Sequence, residues 1–181
     1  MHDGAAYQGR AATMSIMGLA YVSFALFVIH EFEEIVRCRP WIERHASDKR
    51  YARDYWIRNR EYYPSTPALA ACIAEEIMLY GVAMFCAGLV SFAPVVFAVT
   101  FANSLHLLGH LGFALRSRSW NPGSVTATVM LPINIGVMVV TAHALDVIPA
   151  IIWTVVVTAV AGANLQLLHR YAGATERIVR G

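Results

Sequence analysis

Histidine and glutamate recur in this chain at spacings that a helix would gather onto one face. In Val28-Ile29-His30-Glu31-Phe32-Glu33-Glu34 the side chains of His30, Glu33 and Glu34 stand at i, i+3 and i+4, so they project together, while Glu31 points about 100° away. Asn103, His106 and His110 share a face in the same way, at i, i+3 and i+7. Cys72, Glu76 and Tyr80 follow one another at single-turn intervals, with Glu75 beside them. Neutral imidazole combined with carboxylate suits zinc, iron or manganese. The expected metal ligands are His30, His106 and His110, with Glu34 and Glu76 as ligands or bridges. Glu33 is expected as a ligand or a general base, which makes Glu33 and Glu34 the catalytic candidates. Six candidates exceed what one zinc uses, so the cofactor is expected to be one or two divalent ions. Carboxylate-rich bundles hold metal pairs with Glu-x-x-His, and the order here, His-x-x-Glu, is the reverse.

The elements that must carry these groups are apolar. The chain of 181 residues is 57% hydrophobic and 14% charged, where a soluble domain has nearer a quarter charged. Ala11–Ile29 contains no charge at all. It runs into His-Glu-Phe-Glu-Glu instead of a small-residue cleavage site, which argues for a membrane helix and against a signal peptide. Five segments meet the length and polarity test for spanning helices: about 11–35, 67–90, 92–115, 122–145 and 147–169. The expected fold is all-α, one membrane domain over residues 1–181. Asn121-Pro122-Gly123 reads as an N-cap followed by proline in the first turn of the fourth helix, and Pro132 as a kink within it. Cys38, Cys72 and Cys86 form no C-x-x-C pair and indicate neither a disulfide framework nor a thiolate zinc site.

Residues 37–66 form the sizeable non-spanning part, with eight Lys/Arg mixed among Trp41, Tyr51, Tyr55, Trp56, Tyr62 and Tyr63. Helical recurrence of the aromatics between Ser47 and Tyr63 suggests an amphipathic helix lying in the membrane interface. Of the fourteen Lys/Arg, only Arg10 falls on the opposite side. The positive-inside rule therefore puts the 37–66 segment and the C-terminus in the cytosol and the N-terminus outside. Counting from the cytosolic flanks at about 1.5 Å per residue, His30, Glu76, His110 and His106 lie about 10, 14, 9 and 15 Å deep. Ionisable groups from three helices thus share one layer. Each costs about 2.5–3.5 kcal/mol on insertion scales unless partnered, which is why such groups mark function. His143 and His169, near helix ends, are expected at the interface. Asn134 and Asn164 are expected to hydrogen-bond between helices. His2 and His45 receive no role.

His30-Glu31-Phe32-Glu33-Glu34 resembles the signature of the HXXEE domain family of small membrane proteins. Asn103-Ser104-Leu105-His106-Leu107-Leu108-Gly109-His110 is similar to its downstream asparagine and histidine block, and Trp120-Asn121-Pro122-Gly123-Ser124 to its turn into a following helix. The resemblance implies a membrane protein with a His/Glu active centre, and it covers His30, Glu33, Glu34, His106 and His110 position by position. It says less about Glu75 or Glu76, between which depth alone favours Glu76.

The functional expectation is a membrane-embedded metalloenzyme, a hydrolase or a di-iron oxidoreductase, acting on a lipid-like or apolar small molecule that enters under the aromatic segment. The expected location is a plasma membrane of the bacterial inner type, with membrane lipids as partners. A net charge of +2 gives no reason to expect nucleic acid. A metal-free isomerase using one glutamate and one histidine is the alternative, and a proton- or metal-coupled transporter the third. Small residues such as Gly81 and Gly88, or Ala98 and Ala102, serve helix packing within the chain or in a homo-oligomer equally well.

Overall fold

A computed structural model describes the backbone of residues 3–181 and the side chains from Ile16 onward. His2 and the side chain of Arg10 lie outside the described residues. Six α-helices carry the chain: α1 Asp3–His45, α2 Tyr55–Arg58, α3 Thr66–Leu89, α4 Ala93–Ser117, α5 Ser124–Ala142 and α6 Val147–Arg180. There is no strand among the described residues. All except the four-residue α2 are long and apolar enough to cross a membrane. α1 packs chiefly on α3, and α4 on both α5 and α6. α3 and α4 are joined by three residues in which Phe92 N–H donates to the Ala87 carbonyl at 2.8 Å, folding the two helices back on each other.

Two glycines set the α1–α3 approach. A Cβ at Gly88 would meet Met17 Sδ at 2.7 Å, and one at Gly81 would meet the Phe24 ring at 3.1 Å. Both therefore serve close packing inside the chain.

The first helix does not end near residue 35. It continues through Pro40 to His45, although proline removes a helical hydrogen bond. What holds it is burial: Cys38, Trp41 and Ile42, spaced at three to four residues, enter a core with Trp56, Ile57, Tyr63, Leu69 and Ile73. Where water is the alternative, each large side chain so buried contributes about 1.5–3 kcal/mol. α6 likewise runs past 169 to Arg180, and its C-terminal end is tied to α3 by a Ser65–Glu176 hydrogen bond.

Residues 47–63 are not a single interfacial helix either. The segment folds as a cap made of two 3-10 turns, Lys49–Tyr51 and Arg60–Tyr62, with α2 between them. Two aspartates break the helix that the aromatic spacing suggested. Asp48 accepts from Arg50 N and Asp54 from Trp56 N, each starting a new turn. Arg50 also chelates Asp48, holding its carboxyl below the usual range, whereas burial pushes the Asp54 carboxyl up.

The sign of that shift makes a prediction. A raised folded-state pKa favours the folded cap at low pH, and this contribution is lost as pH rises from the ordinary aspartate value of 3.8 through the raised one. Asp54→Asn, which keeps the capping oxygen, should remove that dependence, and Asp54→Ala should cost the cap about 1 kcal/mol at any pH. Amide-exchange protection of residues 54–58 checks both.

Candidate metal centre

The centre is assembled by α1, α4 and the turn into α5. Nε2 of His30, His106 and His110 and one carboxylate oxygen of Glu34 all lie within 4.8 Å of one another. His110 Nε2 stands 2.7 Å from Glu34 Oε1 and 3.0 Å from His106 Nε2. His30 and His106 each present Nε2 at 3.8 Å from the same Oε1. The three rings meet edge to face, with centroids 4.5–5.2 Å apart. A four-coordinate ion with bonds of about 2.1 Å needs ligand atoms about 3.4 Å apart, a spacing that these distances bracket.

The outer nitrogens fix which ring atoms face inward. His110 Nδ1 lies 3.0 Å from the Pro122 carbonyl, which can only accept, so Nδ1 carries the proton. His30 Nδ1 lies 2.7 Å from Thr126 Oγ1, and that hydroxyl gives its own proton to Glu33 Oε2 at 2.6 Å. His30 Nδ1 must then be the donor. Both rings therefore turn an Nε2 lone pair towards Glu34. His30 Nε2 is fully buried with no hydrogen-bond partner, and Glu34 Oε1, equally buried, has His110 Nε2 2.7 Å away. A proton could satisfy one pair of these acceptors, whereas a cation at their centre satisfies all four. The donor set fits a divalent metal ion on this ground.

The Asn121–Gly123 turn is part of the centre. Asn121 does not cap α5. The residue before Ser124 is Gly123, at φ +79°, and the His110 ring lies directly against its α-carbon, in space that a Cβ would occupy. Only glycine suits both the angle and the contact.

Of the six sequence candidates, four converge and two do not. Glu33 is turned aside: Oε2 accepts from both the backbone N–H and the hydroxyl of Thr126, at 2.8 and 2.6 Å, and Oε1 pairs with Arg37. It orients His30 through Thr126, as carboxylates do behind metal-binding histidines. Glu76 lines an adjoining cavity instead, while Glu75 accepts from Asn164 Nδ2 at 2.9 Å. That bond is the interhelical link expected of Asn164. Asn134 is fully buried with neither amide atom partnered, so the link expected there is not made. His143 is exposed, and His45 is folded against Trp41 and Tyr51.

Sequence reasoning missed three residues. Thr126 gives no signal by itself, since a threonine in the first turn of a helix is ordinary. Glu31, set aside as pointing away, is 1% exposed and lies within electrostatic reach of Glu34 and Glu76. His169, expected at the interface, is half-buried on the cavity wall, stacked on Tyr62 with centroids 4.9 Å apart.

The cavity measures about 240 Å³. Glu34, His106 and His110 form its inner wall, and α3, α4, α6 and the aromatic cap form the rest. Trp56 closes the inner end, its ring 5.7 Å from that of His110. Burial pushes the Tyr63 hydroxyl well up, so the cap presents it uncharged. On the other side of the centre a string of hydroxyls runs along α1, α3 and α4. Thr100 Oγ1 donates to the Val96 carbonyl at 2.8 Å, so Ser23 must donate to Thr100 at 2.9 Å and Tyr80 to Ser23 at 2.8 Å.

Across residues 21–137, well over half of the chain, the sequence matches the family model described as "protein of unknown function with HXXEE motif". The chain belongs to the HXXEE family. The matched region holds the whole candidate centre, from His30 to the Asn121–Gly123 turn and Thr126. Neither a curated protein nor a solved structure matches the chain. The centre of this HXXEE protein thus rests on its own geometry.

Proposed function

We propose that this HXXEE protein is a membrane-embedded metalloenzyme in which His30, Glu34, His106 and His110 hold a single divalent ion beside a cavity for a small apolar substrate. The observation that carries the reading is the convergence of three imidazole Nε2 atoms on one Glu34 oxygen, with His30 Nε2 and Glu34 Oε1 buried and without a hydrogen-bond partner. One ion, not two, is supported by the engagement of Glu33 with Thr126 and Arg37. Four protein ligands fill a tetrahedral zinc, whereas a six-coordinate iron or manganese keeps two positions free. Iron or manganese therefore suits catalysis better, unless His106, with the most exposed side chain of the four, gives way. Such an ion would supply Lewis-acid or redox chemistry. The chain's own residues bind and orient the substrate, and Trp56 and Tyr63 exclude water from above. The five long helices span the membrane in this reading, with the cap and the C-terminus on the cytosolic face, in a plasma membrane of the bacterial inner type.

Elemental analysis of detergent-purified protein made without a metal-affinity tag tests it, beside a His30→Ala/His106→Ala double variant. About one equivalent of iron, manganese or zinc, lost in the variant, is the expected result. Folded protein that stays metal-free when all three are supplied would overturn the reading. The 2.7 Å approach of His110 to Glu34 would then stand as an acid–base pair, and a metal-free isomerase would take its place.

A further inference from the structure

The cavity has a chemistry of its own. The 37–66 stretch carries eight Lys/Arg, yet among the described residues no Lys or Arg lines the cavity that it roofs. Three of those cations are held by other carboxylates, Arg37 by Glu33, Arg39 by Glu43 and Arg50 by Asp48. Glu76, by contrast, faces the cavity with no ion-pair partner among the described residues, and Glu34 stands further in. Around them are the rings of Tyr55, Trp56, Tyr62 and Tyr63. A carboxylate sunk among apolar groups calls for a counter-charge, and an aromatic surround stabilises a cation that has shed its water. Beyond the centre itself, a carboxylate or phosphate would meet Glu76 and, among the described residues, no Lys or Arg on these walls.

We propose that the cavity recognises a cationic nitrogen, a protonated amine or quaternary ammonium on an apolar body, with Glu76 as its counter-ion and the Tyr and Trp rings as its walls. This deepens the proposed function by naming the ligand class. It stands on the cavity walls, so its test does not need the metal. At about 240 Å³ the space lies just under the about 300–1,000 Å³ of drug-sized pockets, enough for a head group and the start of a chain.

Cys72 is a built-in reporter, since it lines the cavity one helical turn from Glu76. In a Cys38→Ser/Cys86→Ser background it is the only thiol, and methanethiosulfonates carrying a trimethylammonium, a methyl or a sulfonate group can be compared on it. Each rate is normalised to that with a small free thiol, so intrinsic differences among the reagents cancel, and the reactivity of Cys72 cancels in their ratio. With Glu76 about 5–6 Å away, the cationic reagent should outpace the anionic one at least about tenfold, and Glu76→Gln should lower the ratio severalfold, Glu34 and Glu75 keeping it above one. Equal rates, a faster anion, or a ratio unchanged in Glu76→Gln would overturn the proposal, as would failure of even the neutral reagent to react. Protection arms identify the source. Decyltrimethylammonium below its micelle concentration should shield Cys72 and decanoate should not. Shielding also by dihexanoylphosphatidylcholine points to a lipid head group, shielding by the free ammonium alone to a soluble amine, and shielding by neither would overturn the proposal. The ratio is read on chelator-treated protein, so it can hold even if the metal reading fails.

Discussion

Gly123→Ala is expected to lower metal affinity by about ten- to a hundredfold and to destabilise the protein, although residue 123 offers no ligand atom. Two costs coincide at this position. A non-glycine residue at φ +79° is strained by about 1–3 kcal/mol. The added methyl group also lands on the ring of His110, which is held between the Pro122 carbonyl and Glu34 and has no free direction in which to retreat. Moving the ring breaks the Nδ1 hydrogen bond that fixes its tautomer. Metal titration and thermal unfolding of parent and variant measure the two effects. Gly123→Ala protein that binds metal like the parent would show that His110 is not a ligand in this geometry.

Thr126→Val is the second large effect. The two side chains have nearly the same shape, but valine removes both the acceptor for His30 Nδ1–H and the donor to Glu33 Oε2. A buried N–H and a buried carboxylate each lose a partner, at about 1–3 kcal/mol per group. Nothing then dictates which nitrogen of His30 carries the proton. The expected outcome is a ten- to hundredfold loss of metal affinity, with Thr126→Ser close to the parent. Nitrogen NMR of the imidazoles supplies the readout that a merely structural role would leave unmoved: one tautomer of His30 in the parent and the serine variant, a mixture in the valine variant. If Thr126→Val binds metal as tightly as the parent, Glu33 is not acting through Thr126, and its candidacy as ligand or base returns.

The contrast between Glu33 and Glu34 marks how far the sequence could be read. Their spacing from His30 places both on one face, and that much is right. Which of them meets the imidazoles depends on Thr126, a residue of another helix that draws Glu33 aside. Spacing along one helix cannot contain that information. His106 and His110 were legible because i, i+4 on an apolar helix leaves little choice of direction, and the bounds of α3 and α4 were legible to within two residues from their apolar runs, whereas Asn121-Pro122 placed the start of α5 two residues early. The end of α1 was not, since the apolar run stops at Ile35 and the continuation through Pro40 comes from Trp41 and Ile42 packing on residues beyond the next turn. The cap was misread for a different reason. Aromatic recurrence looked helical, while Asp48 and Asp54, whose side chains each restart the backbone, carried the better signal.

The hydroxyl string beside the centre has a consequence for how its three helices are ordered. Its donors point one way, from Tyr80 through Ser23 to Thr100, and end on the carbonyl of Val96. A carbonyl has no proton to pass on, and reversing the string would strand that acceptor. The string therefore ends on the backbone of α4 and satisfies the buried hydroxyls of α1, α3 and α4 in a single order of donors.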